Sequence, residues 1–297
     1  MTTSGILVLD KPSGMTSHDV VARVRRVFNT RKVGHAGTLD PMATGVLIIG
    51  INDATRMLGH LMLSTKRYQA TIRLGASTST DDSEGELSVV TDTGFLSESL
   101  IVRSLGGQVG MIEQVPSSVS AVRVNGRRAH EIVRSGKPVD LAARTVEVHS
   151  IEIGRIQREA PYTDIEIVVD CSAGTFVRAI ARDLGVELGV GAHLVALRRI
   201  SSGPFDLENS VTLSELDRSE TPCDQVCTMG QVAELVWPCV TVNNELREKI
   251  SMGQRIPSME LPERDILALL DAEGELLALV SNGPQGMKYR AVFIGVS

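Results

Sequence analysis

The sequence predicts an α+β fold in which a large domain precedes a small β-rich domain. Through the first two thirds of the chain, short apolar runs typical of strands alternate with amphipathic helical patterns. The composition then shifts near residues 217–238, across Pro222 and Pro238. A chain of 297 residues is long enough for one large domain and one small domain. We expect these domains to span residues 1–230 and 236–297.

The N-terminal elements follow from local patterns. The apolar run Ile6–Leu9 predicts a strand, and residues 10–14 predict a turn. Thr16 with Asp19 three residues later matches a capping box, which predicts that a helix begins there.

Residues 34–45 form a compact polar loop in the sequence, and it leads directly into the buried-strand pattern 46–49. The loop contains three glycines and one carboxylate, Asp40, which Pro41 biases towards an extended conformation. Taken alone, an Asp-Pro pair between glycines indicates a turn. The alternative is a single carboxylate presented to a large substrate.

Five further segments extend the fold prediction. Residues 54–63 predict a helix with four inward side chains, and residues 68–74 alternate as a half-exposed strand. Residues 76–94 are acidic and rich in Ser, Thr and Gly, which predicts a solvated loop. An Asn-Gly turn predicts a hairpin over 122–128, followed by a basic helix that ends at Gly136. The inward side chains of the helix at 54–63 are expected to be Met57, Leu58, Leu61 and Met62.

The later elements are a strand over 165–169, a helix after Gly174, and a C-terminal segment of short strands around one helix at roughly 244–252.

The charge is distributed unevenly. The net charge is −6, yet residues 1–70 hold nine Lys and Arg against four Asp and Glu. Residues 206–297 hold seven against fifteen. A polyanion needs a local basic surface rather than a basic protein, so a nucleic-acid partner fits this distribution. Ordinary solvated helix faces are the alternative explanation.

The composition also limits the class of protein. No run approaches the roughly 20 apolar residues of a membrane span, and the N-terminus lacks the pattern of a signal peptide. The four cysteines have no zinc-type spacing with histidines, so we expect no metal site and a reduced, cytoplasmic protein.

Five segments together resemble a known family. The stretch GHAGTLDPMATGVL, starting at Gly34, looks like the catalytic motif of the TruB-type pseudouridine synthases, the group that includes dyskerin. Four further matches follow the family's order over roughly residues 5–205. They are DKPSGMTS at 10–17, KRY at 66–68, GTFVR at 174–178 and LRR at 197–199.

The resemblance implies a role for several residues. Asp40 would attack the target nucleoside, Tyr68 would stack on its base, and Arg178 would pair with Asp40 and favour its ionised form. Phe176 stands where many members have tyrosine, so the hydroxyl is missing there while apolar packing on the base survives. The remaining substrate-binding residues implied by the motifs are Leu197, His35 and Lys11.

The resemblance also implies the reaction and the partner. The family converts uridine to pseudouridine, and we expect the target to be position 55 in the T-loop of tRNA. No electrons leave in this reaction, so we expect no cofactor. We also expect a monomer that needs no guide RNA, because the chain lacks long basic tails. The fold implied for the large domain is a mixed, bent sheet with flanking helices.

Two RNA-binding regions are expected outside the pocket. Residues 116–138 match the position of the family's RNA-clamping insertion, with Arg127, Arg128 and Arg134 as contacts to the RNA backbone. A plain basic hairpin is the alternative. The C-terminal domain resembles a PUA-type RNA-binding domain.

Two rival functions remain open from the residues alone. One is a non-catalytic RNA-binding or RNA-folding module, which would not need a buried carboxylate. The other is a hydrolase with an aspartate nucleophile. Such a hydrolase would want several carboxylates at a metal site, and the sequence predicts none clustered near Asp40.

Overall fold

The computed structural model describes residues 3–62, 65–120, 141–258, 266–283 and 286–294, together with the backbone of 123–124 and 127–128. The helices are α1 (Ser17–Val27), α2 (Leu58–Leu61), α3 (Glu98–Gly106), α4 (Val177–Glu187), α5 (Leu213–Arg218), α6 (Met229–Val236) and α7 (Asn244–Ser251). Two 3-10 turns span Asn52–Arg56 and Pro222–Gln225.

The first strands are β1 (Gly5–Lys11), β2 (Val33–Ala36), β3 (Thr44–Ile51), β4 (Lys66–Leu74), β5 (Gly110–Gln114), β6 (Arg123–Val124), β7 (Arg127–Arg128), β8 (Arg144–Glu159) and β9 (Tyr162–Cys171). The later strands are β10 (Ala192–Ser202), β11 (Phe205–Asp206), β12 (Val211–Thr212), β13 (Cys227–Thr228), β14 (Cys239–Thr241), β15 (Leu267–Leu270), β16 (Leu276–Gly283) and β17 (Gly286–Val292).

A large mixed sheet organises the first 230 residues. Its main path runs β12-β1-β3-β10-β4-β9-β8-β5, and β2, β11 and β13 pair at its sides. The pairings of β10 with β3 and of β1 with β12 are parallel, whereas the others along this path are antiparallel. This architecture confirms the predicted α+β fold with a large mixed sheet.

Both faces of the central strands are covered. In β1, Leu7 and Leu9 join the core that includes α1 and α4, whereas Ile6 and Val8 join a second core on the opposite face. This follows from the alternation of side chains along a strand. The α1 helix begins at the predicted capping box, in which Thr16 and Asp19 bond each other's backbone N–H.

A second sheet of four strands, in the order β14-β15-β16-β17, forms the C-terminal part of the molecule with α7. Its Ala268, Leu270 and Leu279 pack with Ile6 and Ile48 of the large sheet in the second core. The small sheet is thus attached to the large one through apolar contact. The helix expected at 244–252 is present as α7.

Two predictions about local structure are correct only in part. The helix predicted at 54–63 is divided into a 3-10 turn and the single turn α2. Met57, Leu58 and Leu61 are buried as expected, whereas Met62 is 48% exposed. The loop at 76–94 is not uniformly solvated, since Asp82 and Thr93 in it are buried. Asp82 is buried because a guanidinium lies beside it, a pairing that no periodic pattern in the sequence indicates.

Candidate active site

Asp40 lies in the short connection between β2 and β3, and neighbouring elements hold this connection in place. The Ser17 hydroxyl, at the start of α1, donates to the Leu39 carbonyl and accepts from the Leu39 N–H, at 3.0 and 2.9 Å. The Gly14 N–H donates to the Pro41 carbonyl at 2.9 Å. The loop is thus bonded on both sides of Asp40.

Lys11 supports the same loop from behind. Its side chain is fully buried, and its ammonium donates to the carbonyls of Pro12, Met15 and Pro41 at 2.9, 2.6 and 3.2 Å. Burial lowers the pKa of Lys11 to about 8. Lys11 therefore lies beneath the loop, and the side chains that line the cavity do not include it.

Two glycines of the loop make room for Arg199. Gly45 has φ of 102°, and a Cβ built on it would lie 2.1 Å from the Arg199 carbonyl oxygen. At Gly37, with φ of 79°, a Cβ would lie 3.1 Å from Nη1 of Arg199. At position 45 the positive φ and the close approach of the Arg199 carbonyl oxygen both exclude a side chain, so only glycine fits there.

Arg178, on the first turn of α4, faces Asp40 with two guanidinium nitrogens against the two carboxylate oxygens, an arrangement that we call a fork. Its Nε lies 3.0 Å from Oδ2 and its Nη2 lies 3.1 Å from Oδ1. The guanidinium also donates to the carbonyls of Thr80 and Val119 and lies 3.3 Å from Oδ2 of Asp82. The arginine side chain is 4% exposed, so two carboxylates and two carbonyls satisfy a buried charge.

The expectation that no other carboxylate is clustered near Asp40 was wrong, because Asp82 and Asp40 lie against the same guanidinium. The Asp82 side chain is 3% exposed, and it accepts hydrogen bonds from the Thr80 hydroxyl and the Glu84 N–H. Even so, no three His, Cys, Asp or Glu side chains among the described residues come together as a possible metal site.

Opposing effects act on the ionisation of Asp40. Burial raises the pKa of the Asp40 carboxyl above its usual range, and the negative charge of Asp82 adds to that rise. The Arg178 guanidinium opposes both and favours the charged form through its positive charge and one hydrogen bond from Nη2 to Oδ1. The sequence predicted only the contribution of Arg178.

A cavity of about 330 Å³ opens beside this pair. It is bounded by polar and apolar side chains from the loop before β3 and from β4, β8, α4 and β10. Its lining residues are Gly37, Thr38, Leu39, Asp40, Met62, Lys66, Tyr68, Ser120, Arg144, Gly174, Thr175, Phe176, Val177, Arg178, Leu197 and Arg199.

Tyr68 and Leu197 form part of the cavity wall from adjacent strands. Tyr68 is 7% exposed, and it lies directly opposite Arg199 in the ladder between β4 and β10. Burial raises the pKa of the Tyr68 phenol, so the hydroxyl stays protonated at neutral pH. Arg199 itself is 1% exposed and donates to the carbonyls of Val46 and Gly37 at 2.7 and 2.9 Å.

Phe176 is fixed by its backbone. Gln114 on β5 donates from Nε2 to the Phe176 carbonyl at 3.1 Å and accepts from the Phe176 N–H at 2.7 Å. These two bonds place the ring at the cavity beside the start of α4.

The other predicted residues lie elsewhere. His35 is half-buried on β2, with its ring centroid 6.0 Å from that of His18, and does not line the cavity. For Arg127 and Arg128 the structure gives the backbone of the hairpin, which pairs Arg123 with Arg128 and Val124 with Arg127. Their side chains, and Arg134 entirely, lie outside the described residues.

Sequence reasoning missed Asp82, Gln114 and Arg144 at this site. Arg199 stood in the quoted LRR segment, and its two-residue spacing from Leu197 would have placed both on one face of a strand. Asp82 had no such signal because it lies in an irregular polar loop.

No helix in the described part of the chain is long and apolar enough to cross a membrane. All four cysteines are free thiols.

Comparison with known proteins gives consistent matches. A model described as "TruB family pseudouridylate synthase (N terminal domain)" matches residues 25–177, and one described as "tRNA pseudouridylate synthase B C-terminal domain" matches residues 178–241. The tRNA pseudouridine synthase B of Cutibacterium acnes is 49% identical over 276 residues, which covers 93% of this chain and 92% of that protein. The protein of the same name from Corynebacterium diphtheriae is 45% identical over 297 residues, covering 99% and 97%.

Solved structures agree. A Cbf5-Nop10-Gar1 complex contains a chain that is 26% identical, with a TM-score of 0.73 and coverage of 98% of this chain and 85% of the other. An H/ACA RNP bound to a substrate RNA containing 2′-deoxyuridine gives a TM-score of 0.71 at 26% identity, with coverage of 98% and 86%. From the motifs, the fold and these matches together, the chain belongs to the TruB family of pseudouridylate synthases.

Proposed function

We propose that this protein converts uridine to pseudouridine at position 55 in the T-loop of tRNA. The observation that carries this proposal is the Asp40 carboxylate, which lines a cavity of about 330 Å³ and is forked by the buried Arg178. The cavity is the right kind of site for a single extruded nucleotide, and the relatives' names specify tRNA.

The reaction rearranges one nucleoside without losing atoms. The N1–C1′ bond breaks, the freed base turns, and a C5–C1′ bond forms. The proton on C5 is then removed and N1 ends protonated. A carboxylate at Asp40 can act as the nucleophile that holds the sugar or the base while the glycosidic bond is open. Attack at C1′, attack at C6 and proton removal through a glycal all require the carboxylate in its ionised form.

The cavity walls divide the remaining work. The target base must leave the RNA stack, which costs a few kcal/mol, and contacts in the pocket offset that cost. Tyr68 stacks on the base, and Leu197 and Phe176 provide apolar contact. Arg178 holds Asp40 in position and favours its ionised form.

Further residues contribute outside the cavity. Lys11 positions the Asp40 loop through the Pro41 carbonyl, and His35 braces the flipped-out conformation of the RNA. The insertion at 116–138 clamps the RNA backbone through Arg127, Arg128 and Arg134. Residues 1–230 form the catalytic domain, and residues 236–297 form a PUA-like RNA-binding domain.

We place the protein in the cytoplasm as a monomer that works without guide RNA and without a cofactor. Four free thiols are consistent with a reducing compartment. The reaction is an isomerisation, so no electrons enter or leave it. The two similar solved structures are a Cbf5-Nop10-Gar1 complex and an H/ACA RNP, whereas the tRNA pseudouridine synthase B relatives match this chain over nearly their whole length.

A non-catalytic RNA-binding module is the alternative, and the Asp40–Arg178 pair argues against it. A carboxylate beside a cavity that receives a polyanion weakens binding, so a binding module gains nothing from it, whereas an enzyme can use it as the nucleophile. A hydrolase with a carboxylate-bound metal is disfavoured because the carboxylates of Asp40 and Asp82 both bind the Arg178 guanidinium.

The test is direct. The protein is incubated with a T-arm hairpin, and pseudouridine is mapped chemically at each position. We expect modification at the uridine equivalent to position 55 and at no other position. A hairpin carrying cytidine there serves as the control and should stay unmodified. Binding of the hairpin without any pseudouridine would support the RNA-binding module instead.

A further inference from the structure

Arg144 differs from the other basic side chains that line the cavity. Arg178 and Arg199 are buried and bonded to carboxylates or carbonyls, and Lys66 is buried and donates to the Met62 carbonyl at 3.0 Å. Arg144 is exposed, and within the described part of the chain no carboxylate or carbonyl binds its side chain. Its guanidinium is therefore available to a ligand at the cavity mouth.

The backbone fixes the direction of Arg144. It is the first residue of β8, and its Cα partner across the ladder is Gln114 of β5. Residues directly opposite in an antiparallel pair project from the same face of the sheet. Gln114 points to Phe176 in the cavity wall, bonding its backbone N–H and carbonyl, so Arg144 projects to the same side. Its place among the lining residues is thus set by register and does not depend on one rotamer.

The chemistry of the substrate indicates what this guanidinium meets. Within a uridine nucleotide the base and the ribose are neutral at pH 7, and the only anions are the two flanking phosphodiesters. When a base enters a cavity, its phosphodiesters remain at the mouth. A guanidinium fork matches two phosphate oxygens and forms strong, charge-assisted hydrogen bonds.

We propose that Arg144 binds a phosphodiester adjacent to the target uridine and so holds the nucleotide in its extruded position. This inference rests on the proposed function, since it takes an extruded nucleotide as the ligand. The contact exists both before and during bond breaking. It therefore lowers the RNA concentration needed for half-maximal rate and leaves the maximal rate nearly unchanged.

The test combines a side-chain change with a change in the RNA. The variants are Arg144→Gln, Arg144→Lys and a control, Arg155→Gln, which alters an exposed arginine on the same strand that does not line the cavity. The RNAs are T-arm hairpins with normal linkages or with one neutral methylphosphonate on the 5′ or the 3′ side of the target uridine. Single-turnover rates and binding by fluorescence anisotropy are measured for each combination.

We expect Arg144→Gln to lower kcat/KM on the normal hairpin by about tenfold, the usual effect of removing one hydrogen bond to a charged group. One of the methylphosphonates should lower kcat/KM of the wild type by a similar factor and leave Arg144→Gln unaffected. Arg144→Lys should recover part of the activity because it keeps the charge. The salt slope of binding should fall by roughly 0.7 for Arg144→Gln.

Two results would overturn the proposal. One is a normal hairpin bound and modified equally by Arg144→Gln and Arg155→Gln. The other is a methylphosphonate that slows Arg144→Gln as much as it slows the wild type at both positions. If the wild type formed no pseudouridine at all, the proposed function would fall. The anisotropy measurements on the same RNAs would still decide whether Arg144 binds the phosphodiester.

Discussion

Two arginine–carboxylate forks in this molecule have similar geometry and very different surroundings. Arg178 meets Asp40 at 3.0 and 3.1 Å, whereas Arg73 meets Asp164 at 2.8 and 2.7 Å. The second fork has the shorter distances, and the two carboxylates are similarly exposed, at 32% for Asp40 and 27% for Asp164. The arginines differ, because the Arg73 side chain is 36% exposed and that of Arg178 is 4% exposed. Short distances alone therefore do not identify the functional pair.

The two forks also arise differently. Arg73 and Asp164 are directly opposite in the β4–β9 ladder, so sheet register brings them together. Arg178 and Asp40 are 138 residues apart and come from a helix and a loop, with Asp82 from a third segment beside them. An exposed pair contributes about 0.2–1 kcal/mol, whereas removing a partner of a buried charge costs about 3–5 kcal/mol, and in the first fork the buried charge is Arg178. The comparison predicts that only the Arg178 fork is critical.

The largest expected effect comes from Asp40→Asn. We expect no detectable pseudouridine, because an amide cannot replace the carboxylate nucleophile. Binding of tRNA should stay within about tenfold of the wild type, since phosphate contacts dominate affinity. The measurement is chemical mapping of pseudouridine together with a binding titration.

Asp164→Asn is the matched control, because it changes the same chemical group in the other fork. It should keep nearly full activity. Substantial pseudouridine formation by Asp40→Asn would contradict the role of Asp40 as the nucleophile. An equal loss of pseudouridine formation in both variants would show that the two forks do not differ in function.

The next effect concerns stability. Asp82→Asn removes a charge 3.3 Å from the buried Arg178 and should lower the free energy of unfolding by about 3 kcal/mol, near the lower end for a broken buried pair because Asp40 remains. Urea denaturation measures this. Asp164→Asn should lower it by no more than about 1 kcal/mol. Equal midpoints for the two variants would contradict the ranking by burial.

Tyr68 extends the comparison, because β4 carries Tyr68 on its cavity face and Arg73 on the other. Tyr68→Ala should weaken capture of the target base by about 1–3 kcal/mol, the usual range for base–aromatic stacking. Tyr68→Phe should keep the stacking and slow only the chemistry. Both are tested by RNA affinity and single-turnover rate, and an Ala variant with unchanged affinity would count against stacking.

The smallest effect on the chemistry should come from the clamp. Neutralising Arg127, Arg128 and Arg134 together should weaken tRNA binding and reduce the log–log salt slope by roughly 0.7–0.9 for each phosphate that an arginine no longer neutralises. The rate at saturating RNA should change little because these residues are assigned to the RNA backbone.

A control triple of exposed arginines outside the segment, Arg103, Arg155 and Arg218, should leave the slope unchanged. If the clamp triple and the wild type gave the same slope, residues 116–138 would be an ordinary basic hairpin.

The sequence predicted most regular elements because their signals are local. The Thr16 capping box, the alternation from Tyr68 to Leu74 and the helix after Gly174 depend on residues a few positions apart. The helix predicted at 54–63 is divided into a 3-10 turn and one α-helical turn, and apolar residues three or four positions apart do not distinguish these two kinds of turn.

The site residues that stand in a recognisable motif were predicted, whereas those whose positions depend on contacts with distant segments were missed. Asp40, Tyr68, Phe176, Arg178 and Leu197 all line the cavity. Asp82 and Arg144 were missed because their positions depend on a buried guanidinium and on the register of β8 against β5, and neither leaves a local pattern. Lys11 matched a motif, yet its side chain lies beneath the loop.

The support of the Asp40 loop by Arg199 has a consequence during protein synthesis. The whole loop motif leaves the ribosome early, but Arg199, which bonds the carbonyls of Gly37 and Val46, lies 162 and 153 positions later in the chain. The Arg178 fork also has to wait for 138 further residues. A nascent chain that already contains the complete motif thus has no assembled active site until about two thirds of the protein has been made.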